Sequence, residues 1–199
     1  VKHFLRLLIA LSVVLCIYTV SPAIIYRDVE LAPVDTVPQR ATVLGYDRAA
    51  MFGSWLSGVR ESVVDVAEDV AEDVAEDVAE DVAEDVAELH DPYSGEMLDL
   101  ESAEVDHIFP LSAAWDLGAH GWDASQRIAF ANDPRNLVLV SRAENQSKSD
   151  QLPSEWLPSD RGARCWYVQR LFAVAYDYDL PLPEDDVTVG KRQCGRLLG

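Results

Sequence analysis

Asp106 and His107 set a carboxylate beside an imidazole, and Asn145 and Lys148 set a carboxamide and an ammonium three residues apart. An imidazole exchanges protons near neutral pH, and carboxylate and amide oxygens suit hard divalent cations. Together such groups can move a proton, hold a metal ion or contact an oxyanion. Each alone also has an ordinary use. An Asp-His pair at a strand end is commonly a structural hydrogen bond, Asn145 an exposed helix residue and Lys148 a solvated charge. The elements that carry them decide between these uses. His90 and His120 lie in turn-like contexts and receive no role.

Residues 103–108 alternate Ala103, Val105 and His107 against Glu104, Asp106 and Ile108, which predicts a strand ending before Pro110. Leu137-Val138-Leu139-Val140 is a continuous apolar run and predicts a buried strand. Ser141-Arg142-Ala143-Glu144 has the Ser-x-x-Glu form of a capping box and starts a helix at once. Asn145 and Lys148 then share one helical face. Between the strands, residues 111–136 form a long irregular stretch with a short helix at 112–117, holding Trp115 and Trp122. Upstream, residues 27–41 carry Pro33 and Pro38 and read as a linker. Residues 42–64 space Tyr46, Phe52 and Leu56 as a short helix would, and residues 91–96 read as a turn. Downstream, residues 152–160 are punctuated by proline. A helix follows over 161–178, with Cys165, Val168, Leu171, Phe172 and Ala175 as its buried stripe, and from Pro181 the chain reads as a tail.

The chain is 199 residues long with 49% hydrophobic and 9% aromatic residues, which predicts one domain, two at most, and excludes a wholly disordered chain. Its net charge of −19 is concentrated, because residues 65–88 are Asp-Val-Ala-Glu repeated six times and hold 12 acidic and no basic residues. The remainder is moderately acidic, which argues against a non-specific nucleic-acid coat protein but not against an enzyme that handles phosphates with a metal ion. A four-residue period drifts about 40° per repeat on a 3.6-residue helix, so the Val stripe spirals around the axis. The repeat reads as a solvated helical spacer, with a cation-binding strip or a DNA-mimic surface as the alternatives.

Residues 1–26 read as an export segment. Lys2 and Arg6 precede an uncharged run at 7–20, and Ser21-Pro22-Ala23 offers small residues for cleavage. Ile24, Ile25 and Tyr26 lengthen the run enough to span a bilayer, so a cleaved signal peptide and a retained membrane anchor both fit. Either places the remainder outside the cell or on the outer face of its membrane. In that oxidising setting Cys165 and Cys194 are expected to form a disulfide, two unpaired thiols being the alternative. With no Cys-x-x-Cys pair, no structural zinc is expected.

Four blocks make a resemblance specific: Asp106-His107-Ile108-Phe109-Pro110-Leu111; Phe130-Ala131-Asn132-Asp133-Pro134-Arg135-Asn136-Leu137; Asn145-Gln146-Ser147-Lys148-Ser149-Asp150; and Pro153-Ser154-Glu155-Trp156-Leu157-Pro158. In this order they resemble the HNH endonucleases of the ββα-metal, or His-Me finger, superfamily. The branch most resembled is that of small exported nucleases related to the C-terminal nuclease domain of modification-dependent restriction enzymes. The resemblance implies an α+β fold with a ββα-metal core and flanking helices, here joined to an N-terminal apolar export helix and the acidic helical repeat. It covers residues 44–183 apart from the repeat, within a nuclease domain expected over 42–183 that carries the repeat as an insertion at 65–88 and is followed by a tail over 184–199.

The resemblance also implies roles. His107 would be the general base toward the attacking water. Asp106 and Asn145 would ligate one divalent cation, best Mg²⁺ with Mn²⁺ as the alternative. Asn136 would pin the loop and help orient His107, and Lys148 would contact a phosphate oxygen. The substrate implied is DNA, with RNA as the alternative, cut to leave 5′-phosphate and 3′-hydroxyl ends. Three departures stand out: the last ligand is Asn instead of His, the turn at 91–95 replaces a zinc-binding Cys pair of some relatives, and the acidic repeat interrupts the helical region. A catalytically silent surface protein that keeps the nuclease scaffold is the competing reading.

Overall fold

The computed structural model describes residues 30–76 and 89–194. The expected export segment, Cys16 and the last units of the repeat lie outside the described residues. In chain order the elements are β1 (Thr36–Val37), α1 (Arg48–Phe52), α2 (Val59–Glu76), β2 (Glu104–His107), α3 (Leu111–Asp116), α4 (Ala124–Ala131), β3 (Leu137–Val140), α5 (Arg142–Lys148), α6 (Arg164–Asp177), β4 (Leu182–Pro183) and α7 (Glu184–Cys194). Short 3-10 turns sit at Ala119–Gly121 and Pro134–Asn136. The class is α+β. No helix among the described residues is long and apolar enough to cross a membrane. Leu31–Gln193 forms one compact unit, and Glu30 and Cys194 are the described residues of a second.

At the centre β2 and β3 pair antiparallel, with Asp106 opposite Val138 and His107 opposite Leu137. Because side chains alternate along a strand, Glu104 and Asp106 share one face of this ribbon, and Val105 and His107 share the other. A helix covers each face. On the Val105 face α2 lays Val59, Val63 and Ala67, at i, i+4 and i+8, against Leu137 and Leu139. On the opposite face α5 brings Asn145 to Glu104 and Lys148 to Asp106. The helix α5 starts where its capping box predicts, with the Glu144 amide donating to Ser141 Oγ.

The stretch at 111–136 is more ordered than its sequence suggested. Its missed helix, α4, opens on a reciprocal capping box of Asp123 and Gln126 and buries Phe130 against Phe52, Phe109, Trp122 and Tyr178. The linker reading of 27–41 is corrected as well. Thr36 and Val37 pair in parallel with Leu182 and Pro183, and Arg40 is clamped by Asp116 at 2.7 Å and Asp150 at 2.9 Å.

The largest correction is at the C-terminal end. Residues 184–194, expected as a tail, form helix α7 with Asp186, Val187 and Gly190 buried. Local polarity hid this helix, since its acidic first turn and basic last turn read as solvated chain although they match the helix dipole. Gly190 permits its close approach to α6, because a Cβ there would lie 2.8 Å from the Phe172 ring and 3.0 Å from Val168. Cys165 and Cys194 are each disulfide-bonded, which meets the disulfide expectation.

Candidate active site

The site forms where β2 ends, because that is where the two covered faces of the ribbon open to solvent together. Asp106, His107 and Asn145 line one cleft of about 480 Å³ with Tyr46, Arg48 and Asp150. Asn136 lies beneath it, fully buried. Its side chain accepts from the Phe109 amide at 2.7 Å and donates to the Phe109 carbonyl at 3.2 Å, while its own carbonyl accepts from Ile108. These three bonds fix the turn immediately after His107.

His107 is 7% exposed. The Ala131 carbonyl can only accept, so Nε2 carries the proton of their 2.8 Å bond. Burial, then the positive charges of Arg48 and Lys148, push the imidazole pKa down from 6.5 to about 3, against the opposing effect of the Ala131 bond. The ring is therefore neutral at pH 7 with a lone pair on Nδ1. Among the described residues that nitrogen has no hydrogen-bond partner, and it is not sealed in, since Tyr167 Oη is the only buried side-chain polar atom there lacking one. A second contact fixes the ring plane, because Trp55 stacks on it with centroids 4.9 Å apart and planes 11° from parallel.

Asp106 is held from below. Lys148 Nζ lies 3.1 Å from its Oδ1 and 2.9 Å from its Oδ2, and also donates to the His107 carbonyl at 2.7 Å. The Tyr93 hydroxyl donates to Asp106 Oδ2 at 2.8 Å. Burial raises the carboxyl pKa and lowers that of the ammonium, and each partner's charge opposes the shift in the other. Lys148 is 0% exposed. It is thus committed to Asp106 and the backbone, and the phosphate contact expected of it is corrected to an internal ion pair.

Asn145 donates from Nδ2 to Glu104 Oε2 at 2.8 Å, which leaves its amide oxygen as an unused acceptor. Asp106 lines the same cleft, its carboxylate bonded by Lys148, by the Tyr93 hydroxyl and by the His107 backbone. Among the described residues no three His, Cys, Asp or Glu side chains gather as a metal site. One carboxylate and one amide oxygen on a shared cleft wall nevertheless fit Mg²⁺, which keeps several waters and takes few protein ligands where phosphates supply the rest. They do not fit a tight all-protein cage.

Three contributors escaped the sequence. Tyr93 arrives through the turn at 91–95, where Asp91 accepts from the amides of both Tyr93 and Ser141 and so ties the turn to the start of α5. Trp55 and Arg48 come from the segment around α1. The only signals were Gly53 and Gly58, both with positive φ, bracketing a short loop that carries an exposed Trp.

Residues 62–182 match the family model for the C-terminal domain of GmrSD restriction endonucleases. An uncharacterized secreted protein of Arthroderma benhamiae is 41% identical over 92 residues, which is 45% of each chain. The chain thus spans about half the length of this curated relative. No solved structure matches.

Proposed function

The chain belongs to the family of GmrSD restriction endonuclease C-terminal domains, an HNH-related nuclease family, and from this premise we propose that it is an exported, metal-dependent endonuclease that hydrolyses DNA phosphodiester bonds. The observation that carries the reading is the state of His107. Its Nε2–H is tied to Ala131, which leaves Nδ1 of the neutral ring as the acceptor, and the residue lines a cleft with Asp106 and Asn145. In this reading the strand–strand–helix arrangement of β2, β3 and α5 is a ββα-metal core.

His107 Nδ1 takes the proton of a water attacking phosphorus, while the Ala131 bond and the Trp55 stack hold the ring in the tautomer and plane that present Nδ1. Asn136 keeps the turn at Phe109 closed, so that the imidazole does not drift. Lys148 and Tyr93 hold the Asp106 carboxylate in one orientation, and Glu104 does the same for the Asn145 amide. Asp106 and Asn145 are the residues that would hold a divalent cation, which when bound supplies charge neutralisation at the scissile phosphate and the leaving 3′ oxygen. Export rests on the basic and apolar sequence at 1–26 and agrees with the secreted description of the Arthroderma protein. Supercoiled plasmid is the direct substrate for a test. Nicking in Mg²⁺ or Mn²⁺ that stops in EDTA is expected, and equal nicking in EDTA would remove the metal from the reaction.

A further inference from the structure

We propose that Arg48, held by Trp55, is the residue that grips a backbone phosphate of the nucleic acid at this cleft. The inference rests on the nuclease reading and adds a residue outside the segment 62–182 that matches the family model. Arg48 opens α1, which is firmly seated: Asp47 caps it through the Ala50 amide at 2.9 Å, and Phe52 is fully buried against Phe130. From there Arg48 borders three adjoining clefts, one with Asp106 and His107, one with Trp55 and His107, and one with Trp55 and Asn145. Its guanidinium carbon lies 5.4 Å over the Trp55 ring, and that ring stacks on His107 at 4.9 Å. The cation is therefore linked to the proposed base through a single aromatic side chain.

The charge balance of the cleft points the same way. Of its two carboxylates, Asp106 pairs with Lys148 at 2.9 Å, and Asp150 shares Arg40 at 2.9 Å with Asp116, which takes the same guanidinium at 2.7 Å. Arg48 is exposed and has no hydrogen-bonding or carboxylate partner among the described residues. Other arginines are committed elsewhere: Arg135 to Asp133, Arg142 to Glu104, and Arg60 and Arg170 to backbone carbonyls. Arg48 is thus the cation lining the His107 cleft that no carboxylate holds among the described residues. A planar guanidinium can offer two parallel donors to a phosphate while resting on an aromatic face, which an ammonium cannot do.

The test uses the full chain in a His107→Ala background with Mg²⁺ present, so that labelled DNA duplex is bound but not cut. Arg48→Ala should weaken the dissociation constant about ten-fold near 0.1 M salt, the scale of one charge-assisted phosphate contact. It should also make the log–log salt dependence shallower by about one phosphate's worth. Arg48→Lys should keep the slope and regain only part of the affinity. Unchanged affinity and slope in Arg48→Ala, beside an otherwise wild-type chain that cuts DNA, would overturn the proposal and leave the nuclease reading standing. A wild-type chain that neither binds nor cuts nucleic acid would overturn both.

Discussion

Of the groups gathered at the end of β2, His107 is chemically the most constrained: buried, neutral and anchored through one nitrogen. A free imidazole would lose activity on protonation near pH 6.5, but one held near 3 stays unprotonated well below that. The pH profile of kcat/KM is accordingly expected to show no acid limb near 6.5, and a limb there would show that His107 titrates as an exposed histidine. Lys148 makes the second residue-scale prediction. Lys148→Met leaves the Asp106 carboxylate buried without its counter-charge, which costs on the order of 3–5 kcal/mol. Urea denaturation of the purified variant measures this, and a loss below about 1 kcal/mol would mean the pair is not a buried ion pair. That Asp106, His107 and Asn145 meet at one cleft, with Asn136 bonded to the turn beside them, was legible in the sequence because they fall in ordered blocks on adjacent elements. Burial of Lys148 was not, since residue type and helical face do not say which neighbour will cover a side chain.

Two helices explain why the ribbon presents these groups, and both bear on what the sequence could disclose. The α2 contact spacing of Val59, Val63 and Ala67 reaches into the first repeat unit. Because all units are identical, deleting whole units leaves one in the same register on β3. Chains with six and with three units are expected to share catalytic constants, apart from a modest gain in DNA affinity at low salt that fades as salt rises. A salt-independent loss of activity in the three-unit chain would make the repeat part of the machinery. The helix α7 was illegible because its pattern is polar and its burial depends on one small residue. Gly190→Ala forces a methyl group against Phe172 and Val168 and should cost about 1–3 kcal/mol. An unaltered melting temperature would show that α7 is not packed as described. The strands and α5 were readable because apolar runs and a capping box are local signals. The pairing of β1 with β4 and the arrival of Tyr93 and Trp55 depend on distant segments that carry no shared pattern.

At the scale of the molecule, the proposed function asks an acidic chain to admit a polyanion to a cleft whose lining carboxylates, Asp106 and Asp150, already have cations beside them and where Arg48 is open to solvent. The acidic repeat then concentrates charge away from those pairings in sequence. Disulfide-bonded Cys165 and Cys194 suit the oxidising setting that export implies. The proposed mechanism turns on His107 deprotonating the attacking water. Single-turnover nicking of supercoiled plasmid by the parent chain and by His107→Ala, at equal saturating Mg²⁺, tests it directly. With the fold shown intact by circular dichroism, the variant is expected to be slower by on the order of 10²–10⁴. Equal rates would contradict the assignment, and no nicking by either chain would favour a silent scaffold.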